Sequence, residues 1–176
     1  MPVRYLLTLF FLTSIFFSCT GRTAERKTAR GETYVATPNR LYFKNTRQRH
    51  YAADDSREGI VVYRHDDLWA SGALLLPEIA DNWLADRAIL RFTVRDSLTA
   101  EPTTGPFRLD LERTSGWETL PLTTPPTLEE ITRLRSHLAT QQSLRVVMGL
   151  DTLNPYPGGS REAAKEVLDD YLRLVD

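Results

Sequence analysis

The chain's only cysteine, Cys19, stands at the end of an apolar run from Tyr5 to Phe17, so everything after it must fold without a disulfide. A domain in that position is held by burial and hydrogen bonding alone. Removing Met1 to Ser18 leaves roughly 160 residues, the size of one ordinary domain with one core. A formal net charge of −1 gives no global field that would draw nucleic acid or an acidic partner.

Met1 to Arg4 carries one basic side chain, the apolar run follows, and Ser18, Cys19, Thr20 and Gly21 are small or polar. This is the three-part layout of a secretory signal. The run is about 13 residues long where a spanning helix needs roughly 20, so a permanent transmembrane helix is not expected. With its cysteine directly after a small residue, the segment resembles the N-termini of bacterial lipoprotein precursors. In that family the lipobox cysteine receives a diacylglycerol on its sulfur and signal peptidase II cuts just before it; the new N-terminus is often acylated too. On this chain the box is Phe16-Phe17-Ser18-Cys19, with Phe16 where leucine is usual and Phe17 where a small residue is usual. The resemblance implies lipid attachment at Cys19, a partner in the lipid bilayer and a place in the Gram-negative cell envelope. Thr20 rather than aspartate after the cysteine implies the outer membrane, and the absence of a following acidic run implies a periplasm-facing domain. The alternatives are an ordinary signal peptide, with Cys19 left over, and an uncleaved anchor. The resemblance covers about the first 20 residues and implies no activity.

Residues 1–18 are therefore read as a signal peptide, 19–31 as the lipidated cysteine and a flexible tether, and 32–176 as a single α+β domain. The tether has no aliphatic side chain larger than alanine, and its Arg22, Arg26, Lys27 and Arg30 outnumber Glu25. Basic residues beside an anionic surface add about 1 kcal/mol each, although such runs also serve simply as solvated linkers.

Beyond the tether, Tyr34-Val35 and Leu41-Tyr42-Phe43 flank Thr37-Pro38-Asn39, which predicts a hairpin. Asn45 to Glu58 is polar. Ile60 to Tyr63 and Ala73 to Leu76 read as strands, the second closed by Pro77, and Ile79, Trp83 and Leu84 suggest a short helix. Leu90, Phe92 and Val94 alternate with polar residues, as do Phe107, Leu109 and Leu111, so these two runs are expected to pair antiparallel. Trp117 to Leu120 reads as a further strand. Thr127 and Glu130 form a capping box ahead of a helical stripe, Leu128, Ile131, Leu134 and Leu138, running to about Gln141. Leu144 to Leu150 predicts an internal strand. Ser160 is expected to cap a last helix with Ala164, Val167, Leu168, Tyr171 and Val175 on its apolar face. Strands followed by helix, strand and helix give an α+β fold: a mainly antiparallel sheet with two C-terminal amphipathic helices packed on it.

The densest polar cluster is His50, Asp54, Asp55, His65, Asp66 and Asp67. Imidazole and carboxylate suit zinc or manganese, which makes His50, His65, Asp66 and Asp67 candidate metal ligands, but their spacing matches no metal motif and equally describes solvated turns. Gly158-Gly159-Ser160 at a helix start has the chemistry of an anion site without being a P-loop or a dinucleotide fingerprint. No nucleophile elbow, cofactor fingerprint or catalytic motif is present, which leaves enzymatic activity open. Trp69, Trp83 and Trp117, with Tyr34, Tyr42, Tyr51 and Tyr63, can furnish core bulk or an aromatic platform for glycan or peptide, and Trp69, placed between turn-forming residues, is the candidate for exposure. The expected role is an accessory protein that binds or scaffolds an envelope protein partner. The rivals are an envelope hydrolase centred near His65-Asp66-Asp67 and a glycan- or peptide-binding module.

Overall fold

The computed structural model describes residues 26–27, 33–34, 37–95, 103–104, 107–140, 142–148 and 151–176. Cys19, the signal run and most of the tether lie outside the described residues. The chain divides into one unit over Met1–Ala36 and another over Thr37–Asp176. In the first, β1 (Arg26–Lys27) and β2 (Thr33–Tyr34) pair antiparallel.

The second unit is α+β with two antiparallel sheets rather than one. It opens with α1 (Pro38–Tyr42), continued by a π turn over Phe43–Arg47 and a 3-10 turn over Gln48–His50. The five-stranded sheet runs in the order β3 (Tyr51–Arg57), β4 (Ile60–His65), β5 (Leu75–Asn82), β6 (Arg87–Val94) and β7 (Thr103–Thr104), with the short helix α2 (Asp66–Ala70) between β4 and β5. The four-stranded sheet is built from β8 (Phe107–Arg113), β9 (Gly116–Leu122), β10 (Leu144–Met148) and β11 (Asp151–Leu153), in spatial order β11-β10-β8-β9. The long helices are α3 (Leu128–Ala139) and α4 (Ser160–Val175). Helices are thus not confined to the C-terminal part.

Several sequence expectations give way for local reasons. Thr37-Pro38-Asn39 does not turn a hairpin: the Thr37 hydroxyl accepts the Arg40 amide at 3.3 Å and Pro38 occupies the first turn, where its missing N–H costs nothing, so a helix starts. Pro77 does not end a strand. β4 pairing stops at Arg64 opposite Glu78, so on that side nothing asks Pro77 for an amide, and β5 continues as a strand through the predicted helix. Leu90 and Leu109 lie in different sheets, since β6 pairs with β5 and β8 pairs with β9 and β10. Ser160 is the first residue of α4 rather than its cap; Gly159 takes that place and the Ser160 hydroxyl donates to Pro157 O.

α4 packs on β5 and β6, α3 packs on β9 and on α4, and the side chains between them form one contiguous core. Leu75, Ile79 and Leu90 of the first sheet, Leu109, Leu111 and Leu120 of the second, and Ile131, Leu134, Val167 and Leu168 of the helices are all essentially inaccessible. The two long helices run antiparallel: Arg161 near the start of α4 donates to the carbonyls of His137 and Leu138 at the end of α3, satisfying groups a helix C-terminus otherwise leaves open. At the other end of α3 the capping box is complete, the Thr127 hydroxyl accepting the Glu130 amide and Glu130 Oε2 accepting the Thr127 amide at 2.7 Å. Thr127 is exposed, so Thr127→Ala removes the cap and little else; it is expected to cost about 1 kcal/mol, read as a lower urea midpoint with an unchanged slope.

One glycine is required by its surroundings. Gly59 turns β3 into β4 at φ +75°, and the Leu84 side chain lies over it where a Cβ would stand. That contact ties the β3–β4 turn to the β5–β6 hairpin tip.

Candidate functional site

His50 and His65, candidates from the sequence, are brought together by a strand pair that the polar run from Asn45 to Glu58 does not predict. β3 and β4 place Tyr51 opposite His65, and the His50 ring stacks on the His65 ring at 6.4 Å between centroids and 7° between planes. The rest of the cluster comes from elsewhere. Arg47, in the π turn, donates its Nε to both Asp170 oxygens at 2.9 and 2.8 Å and an Nη to Glu166 at 2.9 Å. The Tyr51 hydroxyl donates to Asp170 Oδ2 at 2.7 Å, and His65 Nε2 lies 3.6 Å from Glu166 Oε2. Phe43, Tyr51 and Tyr63 pack beneath, Tyr63 edge to face with each of the other two.

The electrostatics follow from that geometry. Burial opposes ionisation of the Tyr51 phenol, and the neighbouring Asp170 charge adds to it, so Tyr51 stays a hydrogen-bond donor. Burial alone would push Glu166 up, but the hydrogen bond and charge of Arg47 outweigh it and hold the carboxylate below its ordinary range. His65 is driven below the ordinary histidine value by burial, against the opposing pull of Glu166 and Asp67, so its imidazole is neutral near pH 7. Only 2% of His65 is exposed. The cluster has an acid, a base and a hydroxyl, yet each carboxylate is engaged by Arg47 and the histidine is sealed in, so the arrangement clamps α4 to the sheet.

Asp66 and Asp67 do not join it. They are exposed in the first turn of α2, where negative charge favours the helix dipole, and Asp67 reaches His65 only through its charge. Among the described residues no group of three or more His, Cys, Asp or Glu side chains is placed to hold a metal ion. Asp54 and Asp55 lie on β3, Asp54 paired with Arg64.

Trp69 is half-buried on α2, its ring faced by the guanidinium groups of Arg64 and Arg95 at 5.2 and 5.5 Å. The exposed tryptophans are Trp83, at the β5–β6 tip, and Trp117. Trp117 is 45% exposed on the solvent side of the four-stranded sheet, with the Arg145 guanidinium 4.0 Å above its ring. Register places Glu112 opposite it, and Thr119 donates to Asp110 two residues along the same face. An exposed indole on a polar sheet face is suited to contact a sugar or a peptide side chain. A second open feature is a cleft of about 360 Å³ where α1, the β5–β6 tip and the ends of α3 and α4 meet, lined by Arg40, Arg87, Leu128, Tyr171, Leu174 and Val175 among others.

Sequence reading missed Arg47, Tyr51, Glu166 and Asp170 as one cluster because Tyr51 and Asp170 are 119 positions apart. A signal existed for Asp170: it falls on the buried stripe of α4, between Val167 and Leu174, where an ionised side chain needs a partner. No protein-family model, curated protein or solved structure matches the chain.

Proposed function

We propose that the chain is a lipoprotein of the Gram-negative envelope, anchored in the outer membrane through acylated Cys19, whose folded unit faces the periplasm and binds or scaffolds an envelope protein partner. The observation that carries the binding role is Trp117: a large aromatic, exposed on an antiparallel sheet with the Arg145 guanidinium against its ring. Placing an amphipathic ring in water serves contact rather than stability, and aromatic rings with a cation over them recur at recognition surfaces. The ionised groups nearest His65 are spent on one another, which favours a binding role over the hydrolase reading.

The test is co-purification of the intact protein from its native envelope in mild detergent, beside Cys19→Ser and Trp117→Ala variants. A stoichiometric partner is expected with the intact protein; Trp117→Ala is expected to lose it while staying in the membrane fraction, and Cys19→Ser to lose the membrane. A partner retained by Trp117→Ala would move the docking surface elsewhere. Equal membrane recovery of Cys19→Ser would remove the anchor.

Because Trp117 is flanked by Asp110, Glu112 and Thr119, a glycan or peptide ligand is the second reading. Its mark would be Trp117 fluorescence that shifts on titration with envelope glycan fragments or peptides.

A further inference from the structure

Large apolar side chains that remain exposed are unevenly placed. Among the described residues they are Leu41, Tyr42, Trp83, Leu84, Leu128 and Val175, together with Trp117 and Leu153 of the four-stranded sheet. The first six belong to one end of the unit. Leu41 and Tyr42 close α1, which is fixed there by Arg40 bonding to Asp81 and to Asp86. Trp83 and Leu84 form the tip of the β5–β6 hairpin that ends at Asp86, and the Trp83 amide donates to Gly59 O of the adjoining turn. Leu128 begins α3 and Val175 ends α4, both on the cleft that Arg40 and Arg87 also line. The Arg173 guanidinium lies 4.7 Å over the Tyr42 ring, joining the end of α4 to α1.

Two further observations say what covers this end. The chain enters the unit here, at Thr37, the cap of α1. Between Cys19 and Thr37 lie about 17 residues, which cannot reach beyond about 60 Å even fully extended. Cations are also exposed around the patch, at Lys44, Arg87 and Arg173; Asp81 and Asp86 are turned onto Arg40, and Glu58, Glu129 and Asp176 are the exposed carboxylates of the same turns and helix ends. Tryptophan and tyrosine at such an end match the headgroup region, where an amphipathic ring is most stable, and leucine and valine match the acyl boundary beneath it.

We infer that this end of the domain docks on the bilayer, with the Trp83-Leu84 hairpin tip seated at the headgroup–acyl boundary of the membrane that holds Cys19. The inference rests on the lipoprotein reading. The patch is too small to hold the protein on a membrane unaided; tethering supplies the local concentration that lets a weak contact form. Docking fixes the orientation of the domain and leaves the Trp117 face for a protein or glycan partner.

The experiment reconstitutes the intact, lipidated protein into phosphatidylethanolamine–phosphatidylglycerol vesicles, with acyl chains either unmodified or brominated. A Trp69→Phe/Trp117→Phe variant leaves Trp83 as the only indole. Trp83 emission is expected to fall at least about two-fold in the brominated vesicles, and Leu84→Asp to abolish that loss while the protein still floats with the vesicles. Because Trp69 is packed between arginines, a second measurement keeps it: with Cys19 lipidated, Leu84→Cys gives one thiol for a nitroxide, whose collisions with oxygen should exceed those with a soluble nickel chelate. Vesicle-bound protein with equal Trp83 emission in both lipids and a nickel-accessible nitroxide would overturn the inference. Protection of Trp83 by a stoichiometric protein without bromine quenching would also overturn it, in favour of a protein partner. If the intact protein does not float at all, the anchor has failed and this orientation falls with it.

Discussion

Replacing Asp170 by alanine is expected to destabilise the domain by about 3 kcal/mol, a loss of roughly 10 °C in unfolding temperature at this size. The residue is only 6% exposed, and it holds both the Tyr51 hydroxyl and the Arg47 guanidinium. Its removal orphans a buried phenol, which has no route to water, and takes from Arg47 one of two carboxylates. Glu166 remains and is itself partly exposed, so Arg47 keeps half of its compensation, and the loss falls at the lower end of what breaking a buried pair costs. Asp170→Asn separates charge from hydrogen bonding: its amide oxygen still accepts from Tyr51, and about half of the loss should return. Tyr51→Phe alone should cost about 1 kcal/mol, because Asp170 then still has Arg47. In the double variant with Asp170→Ala the two effects should fall short of their sum, as expected of groups in one network. Additive losses would mean that Tyr51 and Asp170 are not coupled.

Arg40→Ala is expected to cost about 3 kcal/mol or more near neutral pH, and less at acid pH. Arg40 and Asp81 are both buried, with side chains 6% and 5% exposed. Burial already raises the Asp81 carboxyl above its ordinary value against the opposing charges of Arg40 and Lys44, and losing Arg40 raises it further. A carboxyl whose folded value lies above its unfolded one favours the native state below the unfolded value, near pH 4, and loses that contribution as pH rises through the folded value. The gap between native protein and variant should therefore widen from pH 5 to pH 7.5 in urea titrations. Adding Asp81→Asn should recover much of the loss, except for the packing of the arginine stem, which asparagine opposite cannot replace. A gap that narrows with rising pH would show that Asp81 is not the group Arg40 compensates.

The elements legible in the sequence are those where local chemistry and burial agree. Thr127 and Glu130 announce α3, the Leu90-Phe92-Val94 alternation announces β6, and the stripe through Val167, Leu168 and Tyr171 announces α4. The illegible ones lack that agreement. β3 is an edge strand whose Ala52 to Arg57 are mostly exposed, so no apolar face marks it. β5 is central and buried on both faces, so alternation disappears and Ile79 with Trp83 mimics a helical step. The split into two sheets is carried by β10 inserting beside β8, a pairing between Val146 and Leu109 that no local pattern encodes. At the site, the sequence names His50 and His65 as candidates but not β3, which brings them together, and the groups that decide their chemistry arrive on α4. Trp117 was visible as an aromatic in a strand; which face it takes depends on whether that sheet is covered, and its core side goes to Leu120 and Leu122 instead.

The helix that closes the core follows every strand it covers. In α4, Val167, Leu168 and Tyr171 cover β5 and β6 while Asp170 locks Arg47 and Tyr51 from the beginning of the unit. Until those residues are made, the five-stranded sheet has an uncovered apolar side and a cationic hook without its anion. For the exported lipoprotein proposed above, which would cross a membrane unfolded, late closure is an advantage. The strands that precede α4 cannot lock early, a chain in passage would stay competent for it, and folding completes in one cooperative step once α4 is present.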